Sequence, residues 1–372
     1  MAFGLSTLAS LFRNDAEAAL QRADIVGIDI GSSAIKVVQI KDVKGVPTLV
    51  TYGELQLGPY EGVDIGRTTH LSKEKLVEAL VDIVREASVT GKDAIFALSY
   101  NASFMTTISV PTLAPEKISA MIPVEARKYI PMSLTKVTLN WTPLGVNEKE
   151  NTTQVLLSVI YNETFSEYSA IIKESGLNIV GSEVEITSSV RAIVSEKDER
   201  VAIIDCGAFS TRVYIVEKGV VIKNHSILLS GNRLTQALTD ELKIEFKEAE
   251  EIKRTFGLTG KKEDPRIQKI LTRTLEREFR ELHTVLKKQE ESDGVPVQKI
   301  ILSGGGALLL GLQAYVSDMF SRPVVLAEPF TKVVFPSFLG DTLKEAGPSF
   351  SVAIGGALQA FQNNQQVLST GE

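Results

Sequence analysis

The chain has 372 residues, 44% of them hydrophobic and 23% charged, with a formal net charge of −6. This length exceeds one ordinary core and suits two lobes, and the acidic balance argues against general nucleic-acid binding, which calls for a basic face. Cys206 is the only cysteine and His70, His225 and His283 are scattered, which excludes an internal disulfide and any familiar zinc-ligand spacing.

Residues 1–21 form an amino-terminal segment in which Phe3, Leu5, Leu8, Leu11 and Phe12 fall near helical spacing. It reads either as a mobile terminal helix or as a short amphipathic helix on a membrane surface. The first residues lack the basic start and apolar run of a secretory signal, and no stretch approaches the ~20 apolar residues of a membrane span. The expected compartment is the cytoplasm. An apolar strand at 25–30 then runs through Gly31, Ser32 and Ser33 into a second strand at 35–40, with a third at 47–52. Leu76, Val77, Leu80, Ile83 and Val84 predict a helix over 73–87, and 94–98 reads as a buried strand.

From about 105 to 177 the order strand, helix, strand, strand, helix predicts an inserted α+β module. Its first helix starts after Pro115 and stops at Pro131; a strand at 152–160 precedes a helix over 163–175 that Gly176 ends. Helices follow at 232–256 and 265–288, the second carrying a buried stripe from Ile267 to Leu286, with Glu276 and Arg280 on its wet face. A strand at 299–302 runs into Gly304, Gly305 and Gly306, and 351–361 reads as a small-residue helix before a polar tail.

An internal repeat organises these elements. The strand, turn and strand around Asp29 return around Asp205: Asp29 answers to Asp205, Gly31 to Gly207 and Lys36 to Arg212 at one constant offset. The separation is far beyond a solenoid period, so the repeat marks two homologous lobes.

The repeated pattern has a chemical use. An aspartate at the carboxyl end of a buried strand projects into a crevice, where it suits a hydrated magnesium ion. The following glycine lets backbone N–H groups approach an anion, Ser32 and Ser33 add hydroxyls, and Lys36 adds a positive charge for phosphate oxygens. Two such hairpins facing each other enclose a magnesium triphosphate. Between a strand and a helix, Gly304, Gly305 and Gly306 leave room for a base or ribose on bare backbone. Cys206, next to Asp205, reads as a small buried hydrophobe rather than a reactive thiol.

Taken together, the two hairpins and the glycine loop resemble the actin, hexokinase and heat-shock chaperone superfamily. More narrowly, residues 22–362 are similar to the PilM family of type IV pilus assembly proteins. The carrying segments are Gly27-Ile28-Asp29-Ile30-Gly31-Ser32-Ser33-Ala34-Ile35-Lys36, Val124-Glu125-Ala126-Arg127-Lys128-Tyr129-Ile130-Pro131, Leu229-Ser230-Gly231-Asn232-Arg233-Leu234-Thr235, Leu302-Ser303-Gly304-Gly305-Gly306-Ala307 and Pro348-Ser349-Phe350-Ser351-Val352-Ala353-Ile354-Gly355.

The resemblance implies an α/β, two-lobed actin-like fold of the duplicated ribonuclease H-like type. The first lobe takes residues 22–104 and 178–199, with the module at 105–177 inserted in it. The second takes 200–346, with a helical subdomain at 232–298, and 347–372 returns to the first lobe and ends in the tail. The implied ligand is ATP with Mg2+. Asp29, Gly31, Ser32, Ser33 and Lys36 would form the first phosphate loop, Asp205, Gly207 and Ala208 the second, and Gly304, Gly305 and Gly306 the adenosine loop. Ser230, Gly231 and Asn232 fall near the nucleotide, and Asp29 and Asp205 would hold the metal through water. The implied partner is the cytoplasmic amino-terminal peptide of a PilN-like inner-membrane protein, within the pilus motor and inner-membrane complex; self-association is left open. The implied location is cytoplasmic, peripheral at the inner membrane through partners.

Two points depart from this pattern or stay open. Phe209 stands where the family places small hydroxyl residues, and its ring either reshapes the second loop or packs outward. Hydrolysis needs a group that orients water, supplied in the superfamily by the connection before the second lobe. Here Glu185 matches that acidic position best, and would make the protein a weak ATPase; its other reading is a helix-start glutamate favoured by the dipole. Two further functions share this superfamily: an FtsA-like cell-division protein, disfavoured by a tail without an amphipathic face, and a small-molecule kinase, for which no segment announces a substrate base.

Overall fold

The computed structural model describes residues 24–99, 103–112, 115–130, 132–147 and 151–369. The amino-terminal segment at 1–21, Pro131 and the end of the tail lie outside the described residues.

Two five-stranded sheets repeat one topology. In the first, β1 (Asp24–Ile30), β2 (Ala34–Val43), β3 (Val46–Gln56), β4 (Asp93–Leu98) and β8 (Asn178–Val184) lie in the order β3-β2-β1-β4-β8. In the second, β9 (Arg200–Cys206), β10 (Thr211–Glu217), β11 (Val220–Ile227), β12 (Lys299–Ser303) and β13 (Val324–Leu326) lie in the order β11-β10-β9-β12-β13. Each begins with an antiparallel meander and continues with parallel strands. Even the irregularity repeats: the register shifts at Gln39/Ile40 in one meander and at Ile215/Val216 in the other. The central strands are almost wholly buried and apolar, as strands covered on both faces must be.

Helix α1 (Lys73–Glu86) starts at Ser72, whose hydroxyl accepts from the Lys75 N–H. The insertion between β4 and β8 brings β5 (Ser103–Pro111), α2 (Pro115–Ala126), β6 (Val137–Asn147), β7 (Thr152–Tyr161) and α3 (Asn162–Glu174). Strands β5-β7-β6 and α2 close a core of their own around Ile108, Ile122, Val155 and Leu157. Helix α3 does not join it. Its Phe165 stacks on Phe96 at 5.8 Å, and Ile171 and Ile172 enter the core of the first sheet. The insertion also touches the second lobe: the Thr107 hydroxyl donates to Ile222 O at 3.2 Å, and the Asn224 amide to Met105 O at 3.0 Å.

Helix α4 (Glu185–Ile193) leads into the second lobe. There the single helix expected over 232–256 is two: α5 (Gly231–Leu242) and α6 (Phe246–Phe256). Lys243 at φ 59° ends α5 in a left-handed cap, and the turn drops Phe246 into the interior. Neither glycine nor proline marks that break; burial of Phe246 favours it. Helix α7 (Arg266–Asp293) buries the expected stripe and is longer than its apolar pattern, ending at Gly294 with φ 73°. Helices α8 (Leu312–Phe320) and α9 (Gly340–Ala346) lead to α10 (Ser351–Ser369), which lies across β1 and α4. The approach is backbone-close: a Cβ on Gly27 would sit 1.9 Å from Ala353 O, and one on Gly355 would sit 1.8 Å from Ser188 O. Small residues in this helix are what let the chain's end seal the first lobe.

Candidate functional site

The two central hairpins face each other across a cleft of about 810 Å³. In register, Asp29 sits opposite Lys36 and Asp205 opposite Arg212, so each hairpin sets one carboxylate beside one cation. Both turns close the same way: Gly31 N–H donates to Ala34 O, and Gly207 N–H to Ser210 O, each at 3.0 Å. The Lys36 ammonium stands 3.8 Å from the Asp29 carboxylate, and the Arg212 guanidinium 3.9 Å from that of Asp205.

Burial raises the pKa of both carboxyls above the ordinary aspartate value. The facing Asp205 adds to this at Asp29; Lys36 opposes it at Asp29, and Arg212 and Lys36 oppose it at Asp205. Two carboxylates with side chains only 15% and 25% exposed make a place where a divalent cation is worth more than in water. Among the described residues no group of three or more potential metal ligands comes together. Asp29 and Asp205 would therefore give a metal two carboxylates and leave its other positions to water and ligand oxygens, which fits magnesium. Burial and Asp205 push the Cys206 thiol far up, which agrees with its reading as an inert hydrophobe.

The floor of the cleft is the loop of Gly304, Gly305 and Gly306 after β12. Gly304 N–H donates to Pro348 O at 2.8 Å, and the hydroxyls of Ser303 and Ser351 meet at 3.0 Å, so the segment before α10 props the loop. Gly304 adopts φ 81°, and a Cβ there would lie 2.6 Å from both Asp205 Oδ1 and Cys206 O. Bare backbone is required where this loop passes the second aspartate.

Of the residues singled out in the sequence, Asp29, Gly31, Ser32, Ser33, Lys36, Asp205, Gly207, Ala208, Gly231, Gly304, Gly305, Gly306 and Glu185 all line the cleft. Ser230 and Asn232 do not. Ser230 caps α5, its hydroxyl accepting from Arg233 N–H at 3.1 Å, and the Gly231 and Asn232 N–H groups donate to Gly207 O and Ala208 O. The Asn232 side chain reaches Thr68 of the first lobe at 3.2 Å. These residues brace the second hairpin instead of lining the space. Phe209 is 52% exposed at the cleft mouth, so its ring leaves the loop's interior free.

Glu185, the first residue of α4, forms an ion pair with Arg212. The structure also brings in residues the sequence did not flag. On α6, the Lys253 ammonium donates to Gly231 O at 3.1 Å, the Thr235 hydroxyl at 2.9 Å and Glu250 at 2.6 Å, while Arg254 donates to Glu250 at 2.7 Å. Burial lowers the Lys253 pKa; at Glu250 burial acts upward, but Lys253, Thr235 and Arg254 outweigh it and hold the carboxyl low. All three side chains line the cleft, with Lys253 against Gly231. Along the sequence they look like any charged helix face; only the fold of α5 onto α6 turns them inward. From α3, Thr164, Glu167 and Tyr168 complete the opposite wall.

A duplicated sheet with paired aspartate hairpins around one cleft defines an actin-like two-lobed protein. The chain belongs to the family of the type IV pilus assembly protein PilM, whose model matches residues 27–361. Among solved structures it is similar to the PilM-PilN type IV pilus biogenesis complex, with a TM-score of 0.77 and 24% identity over 92% of this chain and 99% of that one. It is also similar to MreB5 of Spiroplasma citri bound to ADP, with a TM-score of 0.50 and 15% identity over 95% of this chain and 100% of that one. A curated relative is the cell division protein FtsA of Neisseria meningitidis serogroup B, 22% identical over 236 residues. That match takes in 57% of this chain and 56% of the relative, so the chain spans little more than half the length of the curated relative it matches.

Proposed function

We propose that the cleft binds ATP with Mg2+ and that the protein is a scaffold of the type IV pilus machinery, working on the cytoplasmic side of the inner membrane. The observation that carries the ligand is the facing pair of hairpins, each with a largely buried aspartate beside a cation, above a glycine loop that admits no side chain at Gly304 or Gly306. Asp29 and Asp205 hold the hydrated metal. Lys36, the Ser32 and Ser33 hydroxyls and the backbone of both turns hold phosphate oxygens. The loop of Gly304, Gly305 and Gly306 takes the adenosine end, and Lys253 and Arg254 line the same cleft. MreB5, whose structure shares this fold, is bound to ADP in one solved form, which supports a nucleotide here.

The partner we propose is the cytoplasmic amino-terminal peptide of a PilN-like inner-membrane protein, taken by the inserted module and the adjoining first lobe. The likeness to the PilM-PilN complex supports this. Among the described residues no helix is long and apolar enough to cross a membrane. Glu185 is the candidate for orienting water at the terminal phosphate. Calorimetric titration of the purified chain with Mg-ATP, with and without a PilN-like peptide, tests both halves. Saturable binding that vanishes on removing magnesium is expected; no binding at millimolar nucleotide sinks the ligand reading, and a peptide that never binds sinks the partner.

A further inference from the structure

The two hairpins match residue for residue, yet their cations do different things. Lys36 stays with its own lobe, its nearest carboxylate being Asp29. Arg212 reaches out of its lobe: it lies near Asp205 on the neighbouring strand and ion-pairs with Glu185, which belongs to the first lobe. The Arg212 and Glu185 side chains are only 12% and 14% exposed, so water screens this contact little. Burial opposes the charge on Arg212, but Glu185, Tyr214 and Asp205 around it more than restore it.

Glu185 is held on a firm base. Two residues earlier, Glu183 accepts from the Ser188 hydroxyl at 2.5 Å and from Arg191 Nη2 at 2.8 Å, and Arg191 also donates to Gly355 O at 2.8 Å. Helix α4 is thereby tied to α10. Arg212 in turn is the second residue of β10, in a strand paired on both sides, with Asp205 and Ser226 as its register partners. The ion pair is therefore a bridge between two stiff elements of different lobes, set in the wall of the cleft beside the second phosphate hairpin. The charged groups there fall into two sets: Asp29 with Lys36, and Arg212 with Glu185 and Asp205. A guanidinium is the group among them best shaped for phosphate oxygens, since its planar fork can donate two parallel hydrogen bonds.

We propose that Arg212 is a positioning residue through which the cleft tells a nucleoside triphosphate from a diphosphate. With no terminal phosphate it holds Glu185 across the cleft; with one, its guanidinium turns to the phosphate oxygens and Glu185 is released to face them. The lobe-to-lobe bridge is exchanged for a bridge through the ligand. The inference rests on the nucleotide reading above.

Calorimetry with Mg-ADP and with Mg and a non-hydrolysable ATP analogue tests it on the full chain. Glu185→Gln keeps the shape and removes the competing charge, so preference for the triphosphate should rise about fivefold, in the range of ordinary coupling. Arg212→Met should lower that preference by about tenfold, the loss of a charge-assisted contact, and Arg212→Lys should restore part of it. If both variants alter the two affinities in equal measure, or Glu185→Gln lowers the preference, the pair is a structural latch and the proposal fails. Absence of binding of either nucleotide to the unaltered protein would instead overturn the nucleotide reading itself.

Discussion

Gly304→Ala tests whether the glycine loop is built around the second aspartate. Gly304 sits at φ 81° and ψ 163°, a region open essentially to glycine alone, where a residue with a Cβ is strained by about 1–3 kcal/mol; the stiffer unfolded chain returns about half a kcal/mol. The added methyl also meets Asp205 Oδ1 and Cys206 O at 2.6 Å, well inside contact distance. Overpacking of this kind costs about 1–3 kcal/mol, so the sum is about 1.5–5.5 kcal/mol. Gly45 gives the control: its φ is 83°, but nothing lies within 4 Å of a Cβ there. Gly45→Ala should therefore cost only the strain, about 1 kcal/mol. In equilibrium denaturation the difference between the two variants reads the overpacking together with the extra backbone strain at Gly304. Since the methyl displaces Asp205, Gly304→Ala should also weaken Mg-ATP binding, which Gly45→Ala should not. Equal destabilisation by the two substitutions would refute the reasoning, because it would mean that the loop can move away from Asp205 freely.

Asp29→Asn and Asp205→Asn should each make the ligand-free protein more stable at neutral pH while weakening magnesium-dependent binding. Both folded pKa values lie above the ordinary 3.8, so the unfolded chain ionises first. The stability favouring the native state is complete below the unfolded value and is lost as pH rises through the folded one. Melting temperatures against pH check this: the margin by which each variant exceeds the unaltered protein should widen as pH rises from the ordinary carboxylate range through the folded values. Arg191→Met leaves Glu183 buried without its guanidinium and should cost about 3–5 kcal/mol in chemical denaturation. Ile122→Ala should cost about 2–5 kcal/mol, with increased hydrogen exchange confined to β5, α2, β6 and β7, because these elements close their own core.

The sequence by itself determined the architecture and the paired hairpins of the cleft. The hairpins were legible because they are local: a strand, a tight turn and a strand carry their aspartate, glycine and cation at fixed spacing, and duplication repeated the signal. The glycine loop was legible for the same reason, and the stripe of α7 because a long helix repeats its buried face.

What only the tertiary structure decided depends on which distant faces meet. Nothing local announces the break at Lys243, since it comes from burying Phe246. That break turns Glu250, Lys253 and Arg254 toward the cleft, though in sequence they are indistinguishable from a solvated helix face. Ser230 and Asn232 matched a motif, but the fold uses them to cap a helix and to join the lobes. The cations of the two hairpins occupy matching positions, and only the approach of α4 to the second lobe made their partners differ. Spacing along a chain sets what a hairpin can hold; packing between lobes sets what faces it.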